Sequence, residues 1–163
     1  DLQVPIHDTS VRYLEGGSLA TLHYFKKMRL YDVKGGKKRP VLDAEIKTPY
    51  KENTILMERS GCGNLMYVGS DLGNIYVLDK RRNFSTVGKF KDTPNASLST
   101  LNVAGEHLLA SGLDGNLRVF DLEERTLKRK IFINRVITTL RANSEKFELT
   151  DIVKEEEVEE KEG

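Results

Sequence analysis

The stretch VGSDLGNIYVLD (68–79) is followed 42 residues later, without a gap, by ASGLDGNLRVFD (110–121). Both copies carry Gly-Asn at the same place, Gly73-Asn74 and Gly115-Asn116, and both end on aspartate. An upstream copy is more degenerate: Met28-Arg29-Leu30-Tyr31-Asp32, with Lys26 where the other two have glycine. The terminal aspartates, Asp32, Asp79 and Asp121, are thus 47 and 42 residues apart. A unit repeated at this interval cannot bury its apolar residues alone and must stack on its neighbours.

The unit reads as strands. Gly and Asn tolerate the positive φ of a tight hairpin, so Asp114, Gly115 and Gly73 are expected at structural turns. In the last copy four strands are expected: 96–103, 107–112, 117–122 and 127–133. In the copy before it they are 54–58, 65–69, 75–78 and 86–90. The third strand is apolar on both parities, with Ile75 and Val77 but also Tyr76 and Leu78. A strand with one solvated face would alternate, so this one is covered on both sides. The fourth is more polar, TLKRKIFI, as an outer edge must be. The fold class is therefore all-β, a β-propeller with four-stranded blades, of which about three are present. Further first strands are expected at Ser10–Leu14 and Val136–Arg141. A closed ring needs roughly four to eight blades, so the sequence reads as the C-terminal part of a larger ring.

Charge divides the chain in two. Residues 144–163 hold nine acids and three bases, a net of −6, leaving 16 acids and 23 bases, a net of +7, in residues 1–143. The expected organisation is propeller blades over 1–143 and an acidic, disordered tail over 144–163. A basic body points to a polyanionic partner. The single cysteine, Cys62, excludes an internal disulfide and any multi-thiolate metal site. No run of about 18 apolar residues is present to span a membrane.

The repeat resembles the WD-repeat family, whose third strand ends in Trp-Asp. Tyr31-Asp32, Leu78-Asp79 and Phe120-Asp121 take that place, and the chain has no tryptophan. The family's Gly-His pair is missing, which implies that its buried hydrogen-bonded tetrad is missing too. Three further details, DLQVPIHDTSVRYL (1–14), MRLYD (28–32) and KKRPVLD (37–43), resemble the WD-repeat protein 74 family of large-subunit ribosome-assembly factors. His7 departs from that pattern, which has tryptophan after VPI. The resemblance implies a seven-bladed ring in the nucleus and nucleolus, a non-catalytic scaffold on pre-60S particles. Its implied partners are pre-ribosomal RNA, other large-subunit assembly factors and an AAA-type ATPase that releases it, with no membrane and no small-molecule substrate.

Catalytic and cofactor readings are weak. GCGNLMYVG (61–69) leads into a strand, whereas a dinucleotide fingerprint needs a helix N-terminus. GGKK (35–38) lacks the rest of a phosphate-binding loop. His7, His23 and His107 show no ligand spacing, Cys62 has no partner at a recognisable spacing, and Asp71 and Asp114 read as turn aspartates bonding their own backbone. No cofactor, metal or catalytic residue is expected.

The basic residues are the site candidates. Lys34, Lys37, Lys38 and Arg39 follow the third strand of the first blade. Lys80, Arg81 and Arg82 follow that of the second, and Arg125, Lys128, Arg129 and Lys130 that of the third. Equivalent positions lie at one level of a propeller, so the three clusters are expected to form a basic arc that meets RNA or an acidic partner. Such contacts to a phosphate backbone are salt-dependent and sequence-blind. The alternative function is a propeller adaptor recruiting protein substrates to an ubiquitin ligase or signalling complex.

Overall fold

In the computed structural model, which describes residues 7–36, 38–61 and 63–142, the chain folds into three four-stranded antiparallel sheets. The first blade is β1 (Asp8–Leu14), β2 (Ser18–His23), β3 (Lys27–Asp32) and β4 (Leu42–Glu45). The second is β5 (Thr54–Arg59), β6 (Leu65–Ser70), β7 (Ile75–Asp79) and β8 (Ser85–Lys89). The third is β9 (Leu98–Ala104), β10 (His107–Gly112), β11 (Asn116–Asp121) and β12 (Leu127–Phe132). Each sheet is a simple meander in chain order, and each expected strand of the two repeats is found within one or two residues of its expected limits.

The double parity of the third strand has a direct cause. On β7, Tyr76 and Leu78 join Leu14, Leu22, Met28 and Ile46 of the first blade and Met57, Met66 and Val68 of their own in one core cluster. Ile75 and Val77 face the other way, into a second cluster with Phe90, Leu98, Leu101, Leu108 and Phe120. All five residues of β7 are buried. Three rings bridge the second interface edge to face: Tyr67 to Phe90 at 5.8 Å and Phe90 to Phe120 at 5.5 Å between centroids. Such T-shaped pairs add about 0.5–1.5 kcal/mol beyond the area they bury.

Successive connections of a meander lie at opposite ends. The β2–β3, β6–β7 and β10–β11 hairpins share one end with the links that pass from blade to blade. Gly73 (φ 91°) and Gly115 (φ 70°) hold the left-handed positions of their hairpins, and Lys26 (φ 60°) holds the equivalent one in the first blade. A Cβ on Gly73 would stand 2.0 Å from the carbonyl oxygen of Pro94 and 2.6 Å from that of Ala96, so the hairpin is clamped by the passing link. Lys26 adopts the same φ with help: its Nζ donates to Thr48 Oγ1 at 2.7 Å and to the Tyr50 carbonyl at 2.8 Å.

This end also carries polar cross-links. Asp71 does not bond its own turn backbone, as the sequence suggested. It accepts from Asn53 N–H and Nδ2, both at 2.9 Å, and Asn53 Nδ2 also donates to Tyr24 Oη at 3.1 Å. Glu52, 3% exposed, accepts from Asn74 Nδ2 at 2.8 Å and from the Tyr76 hydroxyl. Burial and the Glu52 carboxylate together raise the Tyr76 pKa. Asp114 does bond its own turn, accepting from the Asn116 N–H at 3.3 Å, and it pairs with the buried guanidinium of Arg118. That pair holds its carboxyl at about 2. His7, where the family pattern has tryptophan, stacks on Tyr24 at 4.9 Å.

The first strands β1, β5 and β9 line a polar groove of about 630 Å³, whose fourth wall is Thr138–Arg141. The expected strand at Val136–Arg141 is not formed: among the described residues no strand follows β12 and none forms a ladder with these. They keep the position of one nonetheless. Ser99 Oγ donates to the Ile137 carbonyl at 2.6 Å, Ala142 N–H donates to Asn102 Oδ1 at 3.2 Å, and Leu140 and Ala142 pack on Leu109 and Val119. The acidic tail, Lys37 and Cys62 lie outside the described residues.

Two outcomes follow for stability. Gly73→Ala combines a left-handed φ, costing about 1–2 kcal/mol, with a backbone clash. It is expected to cost at least about 3 kcal/mol in urea unfolding. Gly16→Ala, at φ 86° but in open space, should lose only the conformational part; equal losses would remove the clamp from the explanation. For Asp114 the folded pKa lies below the unfolded value of about 3.9, so the pair's contribution is full above that pH and is lost as pH falls through about 2. Between pH 4 and pH 2 the wild-type chain should therefore lose more unfolding free energy than Asp114→Asn. Parallel losses in a pH series of unfolding curves would show that the pair carries no pH-linked stability.

Candidate nucleic-acid interface

The connections from third to fourth strand share the opposite end with the first-to-second turns. In each blade the aspartate that ends the third strand builds the corner. Asp32 accepts from the Gly35 N–H at 3.0 Å. Asp79 accepts from the Arg81 N–H at 2.9 Å and caps a short 3₁₀ turn, Lys80–Arg82. Asp121 accepts from Glu123 N–H at 2.9 Å and Glu124 N–H at 2.8 Å. An ionised carboxylate is a strong acceptor for such bonds. The Arg81 side chain and N–H hold the Asp79 carboxyl below the usual carboxylate range, and the Glu124 N–H does the same for Asp121. The repeated aspartate is thus the residue that shapes each basic corner, a role the sequence signalled by keeping it in all three copies but that residue counting alone did not assign.

The corners differ in what they display. In the first, the Val33 N–H donates to the Gly17 carbonyl at 3.0 Å, the stem of Lys34 lies over Gly17, and Lys38 and Arg39 are exposed. In the second, buried Phe84 anchors the turn from behind, with Asn83 (φ 51°) and Phe84 (φ 56°) both left-handed. Arg81 and Arg82 are both exposed there, and Arg81 also bonds Asp79 through Nε at 3.2 Å and Nη2 at 3.1 Å. In the third, Arg125 (φ 57°) reaches across the interface over Gly88 and donates to the Val87 carbonyl at 3.4 Å. It ties two blades together. Lys128 pairs with Glu124.

Register separates the last three candidates from the corner. Arg129 stands opposite Val119 and Lys130 opposite Arg118, along the outer strand β12. Exposure alternates on that strand, so Lys128, Lys130 and Phe132 share its outward face and Arg129 is half-buried. The structure therefore brings Lys34, Lys38, Arg39, Lys80, Arg81, Arg82 and Arg125 to one end, and places Lys128, Arg129 and Lys130 on an adjoining edge. The turn residues Gly73, Asp114 and Gly115 belong to the opposite end. Sequence reading missed Arg59, which lies at the start of the β5–β6 turn on the basic end and pairs with Glu15 at 3.6 Å.

Acids at this end are largely engaged: Asp32, Asp79 and Asp121 by their corners, Glu15 by Arg59 and Glu124 by Lys128. Glu15 and Glu124 stay exposed within their pairs, and Glu106 and Glu123 are exposed as well. The exposed positive charge is concentrated on the corners of the first two blades. Closely set cations of this kind engage phosphates by position and charge, with no base reading. Among the described residues no group of three His, Cys, Asp or Glu side chains is arranged to hold a metal ion.

Comparison with known proteins gives the family context. No family model matches the chain. It is 30% identical over 144 residues to human WD repeat-containing protein 74, covering 86% of this chain and 36% of that protein. The mouse protein of the same name matches with the same identity and coverage. The Schizosaccharomyces pombe protein named ribosome biogenesis protein nsa1 is 27% identical over 140 residues, covering 86% of this chain and 34% of that protein. The chain thus spans about a third of the length of these relatives. Three stacked meanders, the spacing of their aspartates and these matches agree: the chain is a homologue of the C-terminal part of the WD repeat-containing protein 74 and Nsa1 proteins, with the blades of a WD-repeat β-propeller.

Proposed function

We propose that this chain is part of a non-catalytic scaffold for ribosome biogenesis, acting on the large (60S) subunit precursor in the nucleolus. The observation that carries the reading is the match to relatives, one of them named for ribosome biogenesis, over 86% of the chain. The basic end supplies a physical means. Pre-ribosomal RNA is the proposed polyanion, held through its phosphates by Lys34, Lys38, Arg39, Lys80 and Arg82, with Lys37 next to Lys38 in sequence. Lys128, Arg129 and Lys130 extend the positive surface along β12. Other assembly factors are the proposed neighbours, and release by an AAA-type ATPase completes the cycle. Both belong to the same reading and rest on the family resemblance.

Phosphate contacts of this kind make affinity fall steeply with salt. The slope of log K against log salt is about −0.7 per phosphate neutralised on a single strand. Fully exposed cations contribute most directly, so the informative substitution is Lys38→Glu, Arg39→Glu and Arg82→Glu together. These side chains are exposed and have few neighbours to disturb. The triple variant should keep its unfolding midpoint, lose at least about tenfold in affinity for a pre-ribosomal RNA fragment at 100 mM salt, and leave the large-subunit precursor on a sucrose gradient of nuclear extract. Unchanged sedimentation and affinity would remove the basic end from the function. Wild-type migration in a small, RNase-insensitive complex would favour the protein-recruiting adaptor instead.

A further inference from the structure

We propose that the acidic segment following Ala142 docks, within the same molecule, on the basic corners of the first two blades, and that there it competes with nucleic acid. The competition rests on the polyanion reading above; the docking does not.

Three observations carry it. The first is where the described chain ends. Residues 137–142 run beside β9 in the same direction, with Ile137 at Ser99 and Ala142 at Asn102. β9 itself ends at Ala104 and turns at Gly105, on the basic end. The chain therefore leaves Ala142 at the end that carries Lys38, Lys80 and Arg82, and not at the end of Gly73 and Gly115.

The second is charge. The segment 144–163 has a net charge of −6, and its sequence KEEEVEEKEG (154–163) sets five glutamates, Glu155, Glu156, Glu157, Glu159 and Glu160, within six positions. The corners they would meet hold Lys34, Lys38, Arg39, Lys80, Arg81 and Arg82 against the two corner aspartates, Asp32 and Asp79, of which Asp79 is paired with Arg81. A near-neutral chain, +1 overall, hides two opposite charges large enough to attract each other.

The third is reach. Strands lie about 4.8 Å apart in a sheet and facing sheets about 10 Å apart, which puts the Arg82 corner roughly 25–35 Å from Ala142. Glu155 is 13 residues beyond Ala142, and an extended chain of that length spans about 43–47 Å. The segment can reach without strain, and a tether of this length gives an effective concentration on the order of millimolar.

The test uses the full chain with Glu155, Glu156, Glu157, Glu159 and Glu160 all replaced by Gln, which keeps the segment's length and leaves every described residue untouched. Binding to a single-stranded RNA oligonucleotide is followed by fluorescence anisotropy from 50 to 300 mM NaCl, and a zero-length carbodiimide reagent maps carboxylate-to-lysine contacts. The expected result is binding about 5–10-fold tighter for the Gln variant at low salt, the gap closing as salt rises. Wild-type crosslinks should join the acidic segment to Lys34, Lys38 or Lys80 within one molecule and vanish in the variant. Equal RNA affinities without such crosslinks overturn the docking and leave the RNA reading standing. Crosslinks with equal RNA affinities overturn the competition. Crosslinks with no RNA binding by either chain uphold the docking and overturn the polyanion reading.

Discussion

Burial of both faces of the inner strands is the constraint on which the rest depends. A blade is only one sheet thick, so no blade has a core of its own. Tyr76 and Leu78 belong to one interface and Ile75 and Val77 to the next, although all four sit on one five-residue strand. Each interface is then a cooperative unit of about ten side chains contributed by two blades. The polar cross-links at the hairpin end have a different origin, the pairing within one blade. Glu52 and Asn53, just before β5, meet Asn74, Tyr76 and Asp71 because the β5–β6 pairing continues past Thr54 and Ser70, with the Asp71 N–H donating to the Asn53 carbonyl.

Most of the fold was legible because the repeat and the strand period agree. The period of 42 and 47 residues fixed the blade, and the double parity of 75–78 showed that it is covered on both sides. Two things were not legible. Val136–Arg141 has the composition of a strand, yet strand formation is a property of a pair, and composition cannot report whether a partner stands alongside. Asp71 and Asp114 were both read as turn aspartates although they stand one repeat position apart, Asp71 matching Leu113 and Asp114 matching Leu72; one reaches Asn53 and the other closes on Arg118. The partner that each one meets is tertiary information.

The candidate site was legible to the level of its end of the propeller and not to the level of single side chains. Equivalent repeat positions do share one end, as the period implies. Within that end, Arg125 and Arg81 are also engaged by the protein, and Arg129 turns half inward on β12. A cluster of cations in sequence records only that the residues are near one another. Whether a guanidinium is also engaged by the protein depends on whether a carbonyl or carboxylate stands within reach, as Val87 does for Arg125 and Asp79 for the still exposed Arg81.

The corner aspartates separate two properties that are often entangled. Each carboxylate fixes the course of its loop through backbone N–H groups, which every residue except proline possesses. The side chains carried by those loops are then spectators to the geometry. Cations can be gained, lost or exchanged at positions such as 38, 39 and 82 with little penalty to folding, so the electrostatic character of this end behaves as an adjustable dial mounted on a fixed frame. Chains with the same blades can thus differ widely in how tightly they hold a polyanion and in the ionic strength at which they let it go.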